Sequence, residues 1–198
     1  MPAPVLLPPL REGDRLTRDE FMRRWDGMPD LGRAELIDGV VYMASPVSRP
    51  HRTFQYRLNG WLILYSLSTP GLDGGAGGTW LMREDGVPQP DLDLLLRMEN
   101  GYSVGARELA IEVSQTNSVK DAGVKLRLYE RSGVRDYIIV RPEKKAIVWR
   151  ELAGGKYREI PPDADGIYRS RVFPGLWLDP EARRTAAPRM HEGSSAPP

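Results

Sequence analysis

Asp91, Glu112 and Lys125 have the types and spacing to hold a metal ion beside a cation. Residues 107–114 alternate as a strand. Leu109, Ile111 and Val113 point one way, and Glu108, Ala110, Glu112 and Ser114 the other. A carboxylate in the middle of an apolar strand is costly to bury alone, so Glu112 needs a partner. Residues 90–97 alternate as well, placing Asp91 and Asp93 on one side and Leu92, Leu94 and Leu96 on the other. Asn117 and Ser118 then read as helix caps, with Ser118 and Asp121 in capping-box spacing. They open a helix over 118–132 that Gly133 closes at its C′ position. On it Asp121, Lys125 and Tyr129 share one face.

Hard divalent cations such as Mg²⁺ prefer carboxylate, carbonyl and water oxygens. Asp91 and Glu112 would supply two, and the Val113 carbonyl a third. From a helix start at Ser118, Lys125 would lie roughly 10 Å along the axis at ~1.5 Å per residue. Its flexible stem could carry the ammonium to the metal's water or to a substrate phosphate. The same residues also fit a buried ion-pair network without metal, Glu112 with Lys125 and Asp91 with an arginine. Spacing alone leaves both arrangements open. Asp93 and Glu108 are harder to place and need only solvent or a cation.

The elements that must position these groups follow from local pattern. Residues 1–16 read as an extended, Pro-rich arm. Thr17 with Glu20 opens a short helix through Trp25. AELIDGVVYM is a hairpin turning at Asp38-Gly39, with Glu35 in its first strand, equally readable as an exposed edge carboxylate. Residues 48–68 form an amphipathic helix burying Phe54, Leu58, Trp61, Leu62 and Tyr65. His51 shares that face, as a packed residue or a ligand, while Arg49, Arg52 and Arg57 are a solvated edge able to meet phosphates. Pro70 to Gly78 reads as a flexible loop and lacks the Lys-Ser/Thr ending of a phosphate-binding loop. Strands are expected at 79–83 and 90–97 around a turn at 84–89, followed by a loop at 98–106. A buried strand is expected at 134–140 and a hairpin at 145–160 around Ala153-Gly154-Gly155. Tyr168–Val172 adds a short strand, and Phe173–Trp177 packs as a closing segment. Residues 185–198 carry too little apolar content to fold. The sum is a mixed α/β (α+β) core with antiparallel hairpins and one crossover, from 107–114 to 134–140.

Composition removes other classes. The 198 residues suit one domain. No cysteine is present, which excludes disulfide and thiolate chemistry and fits a reducing cytoplasm. The proline-broken N-terminus is a poor signal peptide, and the longest apolar stretch is too short to span a bilayer. A net charge of +1 gives no support of its own for a nucleic-acid partner. Two histidines, one of them His191 near the end, argue against a histidine-built zinc site, and no Gly-x-Ser-x-Gly elbow occurs.

An ordered set of short motifs adds to this reading: Glu35 in ELIDG, Ser45-Pro46 followed by His51, Pro90-Asp91, Glu112-Val113-Ser114, Asp121, Lys125, Tyr129, and Gly133-Val134-x-Asp-Tyr-x-x-Val. In order and spacing, from Thr17 to Trp177, it resembles the Uma-two family within the PD-(D/E)XK nuclease superfamily. The resemblance implies a restriction-endonuclease-like fold over residues 17–184, a mixed sheet flanked by helices, between the arm 1–16 and a disordered tail 185–198. It implies Mg²⁺ (or Mn²⁺) held by Asp91, Glu112 and the Val113 carbonyl. Lys125 would be the motif's lysine, moved to the helix from the position of Ser114, and Glu35 a further acid near the metal. His51, Arg52, Ser114 and Lys120 would contact substrate. Arg141 departs from the family pattern at a peripheral site. The implied reaction is endonucleolytic hydrolysis of DNA, with a homodimer supplying two sites for two strands. The competing class is a non-catalytic nucleic-acid-binding or regulatory protein that keeps the fold; an intact Asp91, Glu112 and Lys125 set favours the enzyme.

Overall fold

The computed structural model describes residues 7–43, 47–96, 103–104, 108–114 and 123–180. Helix α1 (Arg18–Asp26) starts where the Thr17 hydroxyl accepts the Glu20 N–H at 3.3 Å. Asp38 and Gly39 both take positive φ, 53° and 72°. That is the turn chemistry a tight hairpin needs, and it joins β1 (Ala34–Ile37) to β2 (Val40–Met43). Helix α2 (Arg49–Leu67) is capped by Ser48, with Pro50 in its first turn, where an N–H has no helical partner to lose. After these come β3 (Leu72–Gly75), β4 (Trp80–Leu81), β5 (Leu92–Leu96), β6 (Ser103–Val104) and β7 (Leu109–Val113). Helix α3 (Lys125–Ser132), β8 (Asp136–Arg141), β9 (Ala146–Ala153), β10 (Lys156–Ile160), β11 (Tyr168–Arg169) and β12 (Trp177–Leu178) are the remaining elements of the described residues.

The main sheet has six strands in the order β10-β9-β8-β7-β5-β3. β7 and β8 form its parallel pair, as the expected crossover through α3 requires, and the other neighbours are antiparallel. Helix α2 covers one face, setting Leu58, Trp61 and Leu62 against Leu92, Leu109, Ile111 and Ile138. Leu128 and Tyr129 of α3, with Ile37 of the hairpin, cover the other face over Ala110, Tyr137 and Ile139. Glu112 alternates with Ile111 and Val113, so it points to the face shared by α3 and the hairpin. A third cluster joins Phe21 of α1 and Leu10 to Leu36 and Val41, and the Gly13 N–H donates to the Val41 carbonyl beside it.

Three expectations change. Pro70 to Gly78 is not a loop throughout, because Leu72–Gly75 is the edge strand β3, paired with β5. A Cβ on Gly74 would meet the Asp93 carbonyl oxygen at 2.9 Å, and one on Gly75 would meet Asp93 Oδ1 at 3.1 Å. Glycine is there because the edge approaches Asp93 closely, not because the chain is loose. Within 98–106, Ser103–Val104 pair as a strand with β4. Of Tyr168–Val172, only Tyr168–Arg169 form a strand. The caps Asn117 and Ser118, together with Lys120, Asp121, Ser45-Pro46 and the tail 185–198, lie outside the described residues. Among the described residues, α-helical geometry begins at Lys125 after a π-type turn at 123–124.

Asp136 at the start of β8 is fully buried and accepts the Ser170 hydroxyl at 2.7 Å. Burial pushes its carboxyl from 3.8 up to about 6, against the lowering effect of Ser170 and Trp149. Between about pH 4 and pH 6 the folded protein therefore holds a proton that the unfolded chain releases. The stability tied to Asp136 is present at acid pH and is lost as pH rises through about 6. A shift of this size is worth up to about 3 kcal/mol. In urea unfolding across that window, Asp136→Asn is expected to gain on the parent by about 2–3 kcal/mol from acid to neutral pH. Parallel stability profiles would refute this.

Candidate functional site

Where β7, the entry to β5, the β1 hairpin and the first turn of α3 meet, four ionisable side chains lie between 3% and 8% exposed: Glu35, Asp91, Glu112 and Lys125. The Lys125 ammonium is 2.8 Å from Glu112 Oε1 and 2.8 Å from Glu35 Oε1. One helical turn further, the Tyr129 hydroxyl donates to the same Glu112 oxygen at 3.0 Å. The Gln89 N–H donates to Glu35 at 2.8 Å. The reading of Glu35 as an exposed edge carboxylate therefore fails. Its strand faces α3, and burial is tolerable because a cation and a backbone donor satisfy the charge.

Asp91 is held separately. Leu92 pairs with Ile111, and continuing that register brings Asp91 opposite Glu112. The Val113 N–H donates to Asp91 Oδ2 at 2.8 Å. His51 Nε2 stands 3.4 Å from the same oxygen, a contact longer than an ordinary hydrogen bond. Arg33 Nη1 is 3.9 Å from Oδ1, and Gln55, one turn after His51, donates to the Asp91 carbonyl at 3.0 Å. Burial acts to raise the Asp91 pKa, but His51, the Val113 N–H and the Lys125 charge outweigh it and hold the carboxyl below its usual value. Asp91 is thus an anion at neutral pH. Burial and the neighbouring Glu112 and Glu35 charges push the Tyr129 phenol well up, so it stays a neutral donor.

Asp91, Glu112, Lys125 and Glu35 are brought together, with Val113 and His51 beside Asp91. Ser114, two residues after Glu112, is buried, and its N–H donates to the Val140 carbonyl at 2.8 Å. Arg52 is exposed on α2, and Lys120 lies outside the described residues. Asp93, hard to place from sequence, accepts the Trp80 indole N–H at 2.7 Å. Sequence reasoning missed Gln89 and Arg33, which clamp each other, the Arg33 guanidinium donating to the Gln89 carbonyl at 2.9 Å. Nothing in their local sequence marks them. Gln55 could have been found from its four-residue spacing to His51.

The donor set suits a hard cation: two carboxylates on adjoining strands and strand-end carbonyl oxygens. The described cluster also holds three carboxylates to one ammonium, a balance that favours additional positive charge. Among the described residues, no three Asp, Glu or His side chains converge closely enough to hold an ion by themselves. The fit therefore rests on the Asp91 and Glu112 pair with backbone oxygen.

Residues 18–181 match the model of the Uma2 family, whose description is "Putative restriction endonuclease". The chain belongs to that family. Among solved structures, the Uma2 chain is similar to an Anabaena variabilis protein titled "a putative nuclease belonging to DUF820", with a TM-score of 0.67 and 15% identity. The match covers 84% of this chain and 96% of that one; at such low identity it shows a shared fold. No curated protein matches this Uma2 sequence. Among its described residues, no helix is long and apolar enough to cross a membrane.

Removing the Lys125 ammonium would leave Glu35 and Glu112 as buried charges. Lys125→Met is expected to cost about 3–5 kcal/mol in urea unfolding at neutral pH. The deficit should shrink at acid pH, where the carboxyls take up protons. Parental stability at neutral pH would mean that the ammonium is not the counter-charge.

Proposed function

We propose that the protein is an endonuclease hydrolysing phosphodiester bonds in DNA with Mg²⁺ or Mn²⁺. The observation that carries this reading is the Lys125 ammonium 2.8 Å from Glu112, beside an Asp91 anchored on the next residue of the same strand. Asp91 and Glu112 would hold the cation. The Val113 carbonyl would be the third donor, since in an extended strand a residue's N–H and C=O point to the same side and its N–H meets Asp91. A bound divalent ion supplies Lewis acidity toward a phosphate oxygen and acidifies a water.

The chain's own groups do the rest. Lys125 orients the attacking water or offsets charge developing on the phosphate. Glu35 positions Lys125, and Tyr129 fixes the rotamer of Glu112. The Val113 N–H, His51 and Lys125 hold Asp91 as an anion, and Gln55 fixes its backbone. Arg52, His51, Ser114 and Lys120 are the groups for substrate contact, with DNA held mostly through phosphates. A DNA substrate and a cysteine-free chain suit the cytoplasm.

A second reading has an observation of its own. Lys125 between Glu35 and Glu112, with Arg33 near Asp91, is a charge network that closes without metal and fits a non-catalytic nucleic-acid-binding or regulatory protein. Supercoiled plasmid cleavage with Mg²⁺, Mn²⁺ or EDTA separates the two, alongside Glu112→Gln and Asp91→Asn proteins with unchanged circular dichroism. The expected result is metal-dependent nicking reduced at least ~100-fold in both variants, with Mn²⁺ binding, followed by electron paramagnetic resonance, weakened in parallel. A folded parent that neither cuts nor binds Mn²⁺ would hand the site to the second reading.

A further inference from the structure

Helix α2 carries an apolar stripe on the side away from the sheet. Its buried side presents Leu58, Trp61 and Leu62 to the core. On the opposite side, Tyr56 is 80% exposed and Leu67 81%, with Ile63 and Leu64 also exposed between them. Tyr56, Gly60, Ile63, Leu64 and Leu67 follow the i, i+4, i+7, i+8, i+11 spacing of a single helical stripe. From Leu58 to Ser68 there is no charged residue. An exposed apolar stripe of this length marks a surface suited to being covered.

The geometry points to a second copy of this chain as the cover, with the two α2 helices antiparallel across a two-fold axis at Gly60. Three observations select that occupant. At the middle of the stripe, Gly60 has nothing within 4 Å of where a Cβ would be, so two backbones can approach closely there. Charge on α2 is confined to its N-terminal half, at Arg49, Arg52 and Arg57. Parallel helices would set these like charges side by side, whereas antiparallel ones place each cationic half over the partner's uncharged half. The last turn of α2 also carries no basic residue, and the partner's arginines would supply the cation that the carbonyl end of a helix favours.

With Gly60 on the axis, Tyr56 packs on the partner's Leu64 and Thr53 faces the partner's Leu67, a self-complementary pattern. The chain's own C-terminal residues 181–198 are a poor cover, since Met190 is their one large apolar side chain. A single helix pair lies at the small end of stable interfaces, ~600 Å² per partner or less, so the dimer forms reversibly with concentration. None of this depends on the nuclease reading.

The full-length protein is measured by sedimentation velocity across a concentration series. A reversible dimer is expected, weakened at least ~100-fold by Ile63→Glu with Leu67→Glu, with the melting temperature unchanged when both proteins are measured at a concentration where they are monomeric, because both positions face solvent in the monomer. A parent that stays monomeric up to about 0.2 mM, or a dimer that survives this double substitution, overturns the proposal. Since the chain has no cysteine, any disulfide in a single-cysteine variant joins two chains. Gly60→Cys should cross-link rapidly on mild oxidation and Leu67→Cys should not. Cross-linking at both positions would refute the antiparallel arrangement.

Discussion

A lysine ammonium buried between two carboxylates constrains more of this molecule than any other contact. Each charge would be intolerable alone in that position, because desolvation exceeds what a single imperfect contact returns. Lys125 must sit on the first turn of α3, Glu112 on the face of β7 toward α3, and Glu35 on a strand folded over both. Tyr129 and the Gln89 N–H then fill remaining acceptor sites on the two acids. A fold with β7 one residue out of register would turn Glu112 toward α2 and strand the ammonium.

The aromatic floor follows from the same constraint. Trp80, Tyr129 and Tyr137 meet edge-to-face with ring centroids 5.8 and 5.1 Å apart, sealing the cluster from below. Such contacts lower the local dielectric, which strengthens the ion pairs and at the same time raises the cost of leaving any of them unmade. On the far side of Trp80, Asp93 takes the indole N–H and draws the glycine edge of β3 against itself. Two acids two residues apart on one strand thus have different duties. Asp91 belongs to the cluster, and Asp93 fixes the strand that carries it.

What could be read from sequence was what local spacing encodes. Alternation put Asp91, Glu112 and their apolar neighbours on the correct faces, the Asp38-Gly39 turn gave the hairpin, and Lys125 to Tyr129 gave the shared helical face. The ordered motifs carried the fold, since they named the elements in sequence. Tertiary approach was not legible. Pro70 to Gly78 reads as a loop on propensity, and only the nearness of Asp93 makes its glycines a strand. Glu35 looks exposed in a short edge strand until α3 is placed over it. Arg33 and Gln89 have no periodicity to announce them, because they meet across a long sequence gap.

The contacts of the site also differ in the length of chain that each must close. Glu112 and Lys125 are 13 residues apart and are joined by the crossover itself, whereas Glu35 reaches Gln89 across 54 residues. On a logarithmic closure law the longer loop costs only about 1.2 kcal/mol more to close. The hairpin therefore brings its acid from far along the chain at little extra entropic cost. Sequence distance is thus a minor part of what the site costs, beside the several kcal/mol needed to desolvate each of its charges.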